Sequence, residues 1–364
     1  MKKLVSGILV LLLFVGLLTL ALNTKPVIAG TIIVPDDHST IQEAINAAAS
    51  GDTIFVGNGI YYEHVIVNKT ISLIGEDEDK TILNGTTIEP IMIVEADNVK
   101  ISGFTFEGWA FKNIVINATT GVTIADNKIV FNALGIDVEN SGNTSIENNI
   151  IDGFGLDNIG IMLAYSSECR IVNNTITNAV YDGIRLWFAS HNLIHQNIIK
   201  ANDCGIFFHE ADLNTISENI ISESGGPGIY IESSLSNKVL HNSFIDNYYQ
   251  AKIFDNSVNS WDNGFEGNYW SDYAGSDLDH DGIGDSPYII NANNQDNYPL
   301  VSSYIQGDAN HDGIVNMTDV DMVRTAWQSR QGEANYKPHL DFSMDGIIDI
   351  KDASIIGVNW QEHV

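Results

Sequence analysis

The chain has 364 residues, with 47 Asp and Glu against 17 Lys and Arg, for a formal net charge of −30. A surface so acidic repels nucleic acid and suits divalent cations, so nucleic-acid binding is excluded as a function class.

The chain opens with Met1-Lys2-Lys3, an apolar run from Leu4 to Leu22, and Val27-Ile28-Ala29. Residues 1–29 therefore read as a signal peptide, with the mature chain starting near Gly30. An uncleaved anchor is the alternative, because the run is almost long enough to span a bilayer core of ~30 Å. No later stretch has that character, so no membrane span is expected after cleavage. Removing residues 1–29 leaves 14 basic against 47 acidic residues, or −33.

Residues 30–98 read as a cap and first rungs. Thr40 and Glu43 form a capping box, Ile41, Ala44, Ile45 and Ala48 make an apolar stripe, and Gly51 ends the helix. Such a helix covers the open end of a solenoid, whose first rung otherwise exposes unpaired backbone. Strands are expected at 53–56, 65–67, 71–74 and 91–94.

Residues 99–270 repeat one pattern. Asn recurs at Asn127, Asn149, Asn174, Asn197, Asn219, Asn242 and Asn268, with gaps of 22, 25, 23, 22, 23 and 26 residues. Ile stands three residues before the first five of these, and Gly135, Gly160, Gly183, Gly205 and Gly228 follow eight to eleven after. The period marks a solenoid. Ile, Val, Asn, Ser and Thr dominate, without helix-length runs, so short strands joined by turns are expected rather than leucine-rich repeats. The fold class is an all-β solenoid, a right-handed parallel β-helix of about ten rungs with an N-terminal capping helix. The Asn column reads as a hydrogen-bonded ladder, with Asn suited to left-handed corners. Cys169 and Cys204 fall at −5 and +7 from that column, so no disulfide is expected.

After each Gly, positions +1 and +3 face inward and +2 and +4 outward. The outer columns hold Asp137, Met162, Arg185, Phe207 and Tyr230, and beside them Glu139, Ala164, Trp187, His209 and Glu232. Arg185, Trp187, Phe207, His209, Tyr230 and Glu232 read as a polysaccharide-binding strip, since rings stack on sugars and charges orient them; an ordinary mixed surface is the alternative. Asp182 and Asp203 come from adjacent rungs and are the candidate catalytic pair of a glycoside hydrolase. A polysaccharide lyase would instead use Arg185 with calcium. Copper would need converging His, Met or Cys, and His191, His195, His209 and His241 fall in different columns.

Residues 271–304 close the coil. Asp277, Asp279, Asp281, Gly282 and Asp285, with the carbonyl of Ile283, have the spacing of a calcium loop. From residue 305 to 364 a second repeat appears. An offset of 33 carries Asp308, Asn310, Asp312, Ile314, Asn316 and Asp319 onto Asp341, Ser343, Asp345, Ile347, Asp349 and Asp352, with Gly313 matching Gly346. These are the oxygen ligands and the glycine of two calcium loops, each leading into a helix (320–327 and 353–360), so two calcium ions are expected here and a third at 277–285.

The stretch VPDDHSTIQEAINAAASGDTIFVGNGIYYEHVIV and the later rungs resemble the NosD-related and CASH (carbohydrate-binding and sugar-hydrolysis) parallel β-helix proteins. The segment from Gly267 to Leu300 is similar to the closing segment of NosD-like repeats in archaeal surface proteins. The duplicated loop-helix resembles a type I dockerin, which implies a cohesin-like partner and a secreted or cell-surface location. By that resemblance Met317, Thr318, Ile350 and Lys351 face the partner. The expected protein binds, and on one reading cleaves, polysaccharide; a non-catalytic adhesion or spacer protein is the alternative.

Overall fold

The computed structural model describes residues 29–131, 133–154, 158–311, 313–343 and 345–360. The expected signal peptide, apart from Ala29, and the expected calcium ligand Asp312 lie outside the described residues.

Three parallel sheets run along the coil, with ten, ten and nine strands among the described residues. Sheet A runs from Thr31–Val34 to Lys238–Leu240, sheet B from Gly59–Tyr61 to Tyr269–Trp270, and sheet C from Val65–Val67 to Tyr249–Ile253. Each regular turn of chain adds one strand to each sheet. Side chains alternate across a strand, so Ile184 and Leu186 are buried while Arg185 and Trp187 point outward. The register stacks like on like: Ile136, Ile161, Ile184, Ile206 and Ile229 are successive partners in sheet C. Columns of Ile thus fill the interior, each buried side chain contributing ~1.5–3 kcal/mol.

The corner between sheets A and B carries the expected Asn ladder. Asn174 Nδ2 donates to Asn197 Oδ1 at 3.0 Å, Val172 O at 3.0 Å and Ile146 O at 2.8 Å. Asn197 Oδ1 also accepts from Asn174 N at 2.9 Å. The left-handed backbone, however, falls one residue earlier than expected, at Asp126, Asn148, Asn173, Gln196, Glu218 and His241 (φ 54–58° across the column). The ladder Asn therefore acts through its amide, not through its tolerance of positive φ. A second ladder, Asn192, Asn214, Asn237, Asn259 and Asn294, lines the corner between sheets C and A. Its sequence signal is short because Cys169, not Asn, occupies the preceding rung. Cys169 and Cys204 are both free and buried.

Helix α1 (Ile41–Ala47) covers the first rung with Ile41, Ala44 and Ile45, and Thr40 accepts from Glu43 N at 3.1 Å. It ends before Gly51, whose φ of 95° serves the turn into Thr53–Val56. Thr31–Val34, ahead of the helix, is already the first strand of sheet A. At the other end, Trp270 stacks on Phe244 at 4.5 Å and on Tyr288 at 4.2 Å, and a hairpin of Tyr288–Asn291 and Asn294–Asp296 closes the coil.

The C-terminal module has helices α2 (Met317–Thr325) and α3 (Ile350–Val358) around Val315, Val323, Ala326, Leu340, Phe342, Ile348 and Ile356. Both helices begin three residues earlier than expected. The reason is capping: Asn316 and Asp349 are N-caps, and Asp319 and Asp352 return bonds to the cap backbone, so the end of each loop is the first turn of its helix.

Candidate functional site

Sheet C brings the expected strip together. Arg185 lies 5.2 Å above the Phe207 ring, Phe207 stacks on Tyr230 at 5.3 Å, and Lys252 lies 5.9 Å from the Tyr230 ring. In the neighbouring column Trp187 stacks on His209 at 4.0 Å, and His209 Nδ1 is 3.1 Å from Glu232 Oε2. Residues in one column sit a rung apart, ~4.8 Å, which is close to ring-stacking distance. The rings therefore turn their faces to one another along the axis. This differs from the expectation of faces open to sugars: ring edges and polar tips form most of the outer surface.

Asp182 opens its strand and lies opposite Cys204 in the register, so Asp203 sits on the adjacent rung, displaced by one residue. The two differ sharply: Asp182 is buried and paired with Arg185, whereas Asp203 is exposed. Burial raises the Asp182 carboxyl to about 6, against the pull of Arg185. A second charged node was not anticipated. Lys112 Nζ approaches Asp137 Oδ2 at 2.5 Å and Glu139 Oε1 at 3.3 Å. Burial raises Asp137 to about 6 as well, with Lys112 opposing and Glu139 reinforcing the shift. Lys112 escaped notice because it sits just before the strand pattern that marks the columns.

The loop after the coil draws together carboxylate oxygens of Asp277, Asp279 and Asp281, all within 4.8 Å of one another. Asp277 accepts from Gly282 N at 3.1 Å, and Gly282 has φ 85°. Asp285 stands apart, holding Leu278 N at 2.9 Å and Ser276 Oγ at 3.1 Å, and so braces the loop. The Ile283 amide donates to Asp281 at 2.9 Å.

The two loops of the C-terminal module share one skeleton. Asp308 accepts from Gly313 N at 2.8 Å and Asp341 from Gly346 N at 2.8 Å. Asp319 accepts from Ala309 N at 2.8 Å and Asn316 N at 2.7 Å; Asp352 accepts from Ser343 N at 2.9 Å and Asp349 N at 2.7 Å. Gly313 and Gly346 have φ 83° and 80°, the left-handed turn that position requires. Oxygen-only donors folded around such a turn fit calcium; the carbonyls of Ile314 and Ile347 are the backbone oxygens that would complete the set. Asp345 is paired with Lys351.

The module is seated on the end of the coil. His311 Nε2 is 3.0 Å from Glu266 Oε1, and His241 Nε2 is 2.9 Å from Glu266 Oε2, at an angle poor for a hydrogen bond. Burial would raise Glu266, but the two imidazoles outweigh it and hold the carboxyl at about 2. Tyr304, in the connecting segment, stacks on His241 at 4.2 Å.

From within α1 through residue 275 the chain matches the family model described as periplasmic copper-binding protein (NosD), over residues 45–212 and 160–275. The chain belongs to that family of parallel β-helix proteins. Residues 306–357 match the dockerin type I domain, so the particular protein is a NosD-family coil carrying a dockerin. Among its relatives are "Probable ABC transporter binding protein NosD" of Pseudomonas aeruginosa, 30% identical over 42% of this chain and 32% of that one, and a cell surface glycoprotein of Methanothermus fervidus, 29% identical over 64% and 46%. The chain thus spans less than half the length of these relatives. Solved structures include Geobacillus virus E2 ORF18, with 13% identity, TM-score 0.47 and coverage of 72% and 68%. The periplasmic alginate epimerase AlgG has 15% identity, TM-score 0.38 and coverage of 56% and 61%. Neither likeness is close enough to argue function.

Copper does not fit the described residues. Among the described residues, the one group of three or more His, Cys, Asp or Glu placed to share an ion is Asp277, Asp279 and Asp281. Those hard oxygens suit calcium.

Proposed function

We propose that this protein is a glycan-binding rod displayed outside the cell, with sheet C as its binding face and the dockerin as a calcium-dependent attachment to a cohesin-type module. The observation that carries the reading is the paired outer columns: Arg185, Phe207, Tyr230 and Lys252 beside Trp187, His209 and Glu232. Stacking fixes these side chains before any ligand arrives, which lowers the entropy cost of binding. Ring edges and cationic tips then make contacts along a chain lying parallel to the axis.

The test is retention of the mature chain, with calcium, on a panel of neutral and acidic polysaccharides, scored also for new chain ends. Trp187→Ala and Arg185→Ala should each weaken retention by ~5- to 30-fold, the loss of one stacked or charged contact. Unchanged retention in both variants would sink the strip as the binding face.

A second reading, cleavage, is favoured by the contrast between Asp182 and Asp203. A buried acid that keeps its proton to about pH 6 beside an exposed carboxylate is the division of labour glycoside hydrolysis needs. Here Asp182 would protonate the leaving oxygen and Asp203 would serve the other face. New chain ends that vanish in Asp182→Asn while retention persists would establish it; retention with no new ends in the wild type leaves a binding protein.

A further inference from the structure

Two loops of the same kind meet where the dockerin sits on the coil. Asp277-Leu-Asp-His280-Asp281-Gly282-Ile283 ends the coil, and Asp308-Ala-Asn-His311-Asp312-Gly313-Ile314 opens the dockerin. In each, the histidine is the fourth loop residue and left-handed, with φ 60° at His280 and 53° at His311. The likeness has a spatial counterpart. Gly282 lies against His311 so tightly that an added Cβ would stand 2.3 Å from the His311 Cβ. The His311 ring is aimed into the coil, with its side chain 7% exposed and Nε2 on Glu266, itself 4% exposed and backed by His241. Ser302 Oγ donates to His311 O at 3.1 Å, binding the connecting segment to the same residue. Beside these contacts a cavity of about 410 Å³ is lined by Asp281 and Tyr298 of the coil and Asn310, Met322 and His339 of the dockerin.

His311 thus has two neighbourhoods at once. Along the chain it lies between Asn310 and Asp312, which the loop pattern assigns as ligand positions; in space it is the residue the coil holds. We propose that the first dockerin loop is the docking surface by which the module seats on the coil, and that calcium binding to this loop and seating are one coupled equilibrium. The inference rests on the calcium reading of that loop. Its physical basis is geometric: an ion held by Asp308 and Asn310, in the loop that Asp308 closes on Gly313 N, fixes the left-handed turn at His311, which sets the direction of the ring toward Glu266. By linkage, whatever favours seating must favour calcium at this loop by the same factor. The second loop carries Met344 where the first has His311, so it offers no imidazole to Glu266 and lies outside the coupling. The coupling also sorts the dockerin's surfaces. Met317 and Ile350, at 61% and 66% exposure, remain free of the coil and available to an attachment partner.

The experiment uses the full mature chain and reads two quantities, calcium binding by calorimetry and particle length by small-angle scattering, with proteolysis at residues 302–306 as a second measure of seating. In calcium the particle should be short and the segment protected; in chelator it should lengthen and be cut. Glu266→Ala should open the segment even in saturating calcium and weaken one of the module's calcium sites ~5- to 50-fold, leaving the other unchanged. His311→Ala approaches the contact from the module side and should do the same, so a folding defect of the coil in the first variant does not blur the result. Arg324→Ala, exposed on α2, should change neither quantity. Protection that survives chelation, or two variants that open the segment with both calcium affinities intact, would overturn the coupling. A module that binds no calcium at all would overturn the calcium reading itself, and calorimetry distinguishes that result by its missing stoichiometry.

Discussion

The coil and the dockerin are both built from repeats, and they hold together by opposite means. In the coil, corner amides satisfy each other from rung to rung, as Asn174 does with Asn197, over a continuous column of buried Ile, Leu, Val and Phe. In the dockerin the loop carboxylates hold the backbone amides of their own loops, as Asp308 does Gly313 N and Asp341 does Gly346 N, and the core among the described residues is Ala309, Val315, Val323, Ala326, Leu340, Phe342, Ile348 and Ile356. Neutral ladders gain with every rung added; several carboxylates in one short loop repel one another unless a cation joins them. A long solenoid therefore needs no ion, whereas a module of some fifty residues sits in the size range where a metal commonly completes the fold.

The largest effect expected is chelation of the whole chain. Hydrogen exchange should show residues 306–360 losing protection while residues 99–270 keep theirs; joint melting of both would break the contrast. Next, Ile184→Ala should cost the coil ~2–5 kcal/mol through the cavity it leaves, measured by denaturant unfolding, with no change in the dockerin's calcium midpoint. Asn197→Ala leaves the buried backbone N–H of Asn174 without its acceptor, although Asn174 Nδ2 keeps Val172 O and Ile146 O, and should cost ~1–3 kcal/mol in the same assay.

The pH dependence sharpens the comparison further. Asp137, Asp182 and Asp296 are all raised by burial to about 6. Below the ordinary aspartate value of 3.8 both folded and unfolded chains carry these protons. Above it the unfolded chain releases them first, so the coil should lose stability as pH rises from about 4 through about 6. Asp182 alone contributes up to ~3 kcal/mol of that loss. Asp182→Asn should flatten the slope by roughly a third, since two buried acids remain; a profile as steep as the wild type's would contradict the shift. The smallest effect is in the second dockerin loop: Lys351→Ala frees Asp345 and should tighten that calcium site ~2-fold, as expected for an exposed pair.

Much of the fold was legible because its units repeat. The Asn spacing and the inward Ile at fixed offsets set the rung length, and +2 and +4 after each Gly named the outward columns that sheet C displays. Local signals fared less evenly. Thr40 and Glu43 locate α1, whereas Asn316–Asp319 and Asp349–Asp352 have the spacing of calcium ligands as well as of a cap, and it is the cap that sets where α2 and α3 begin. The second ladder was missed because it starts halfway along the coil, after Cys169. The strip's residues were legible; their stacking was not, because which way a ring turns depends on the neighbour one rung away.

By itself the sequence determined the period, the inward and outward faces, the duplicated loops and the boundary where one repeat gives way to another, since each is written in residues close along the chain or recurring at a fixed interval. Only the tertiary structure decided that Asp182 is buried while Asp203 is exposed, that Lys112 serves Asp137 and Glu139, and that Glu266 links His241 to His311. Those contacts join residues from 25 to 45 positions apart, apart from the Asp182–Arg185 pair. Burial and charge pairing are sums over neighbours in space, and no spacing rule along the chain says which neighbours those are.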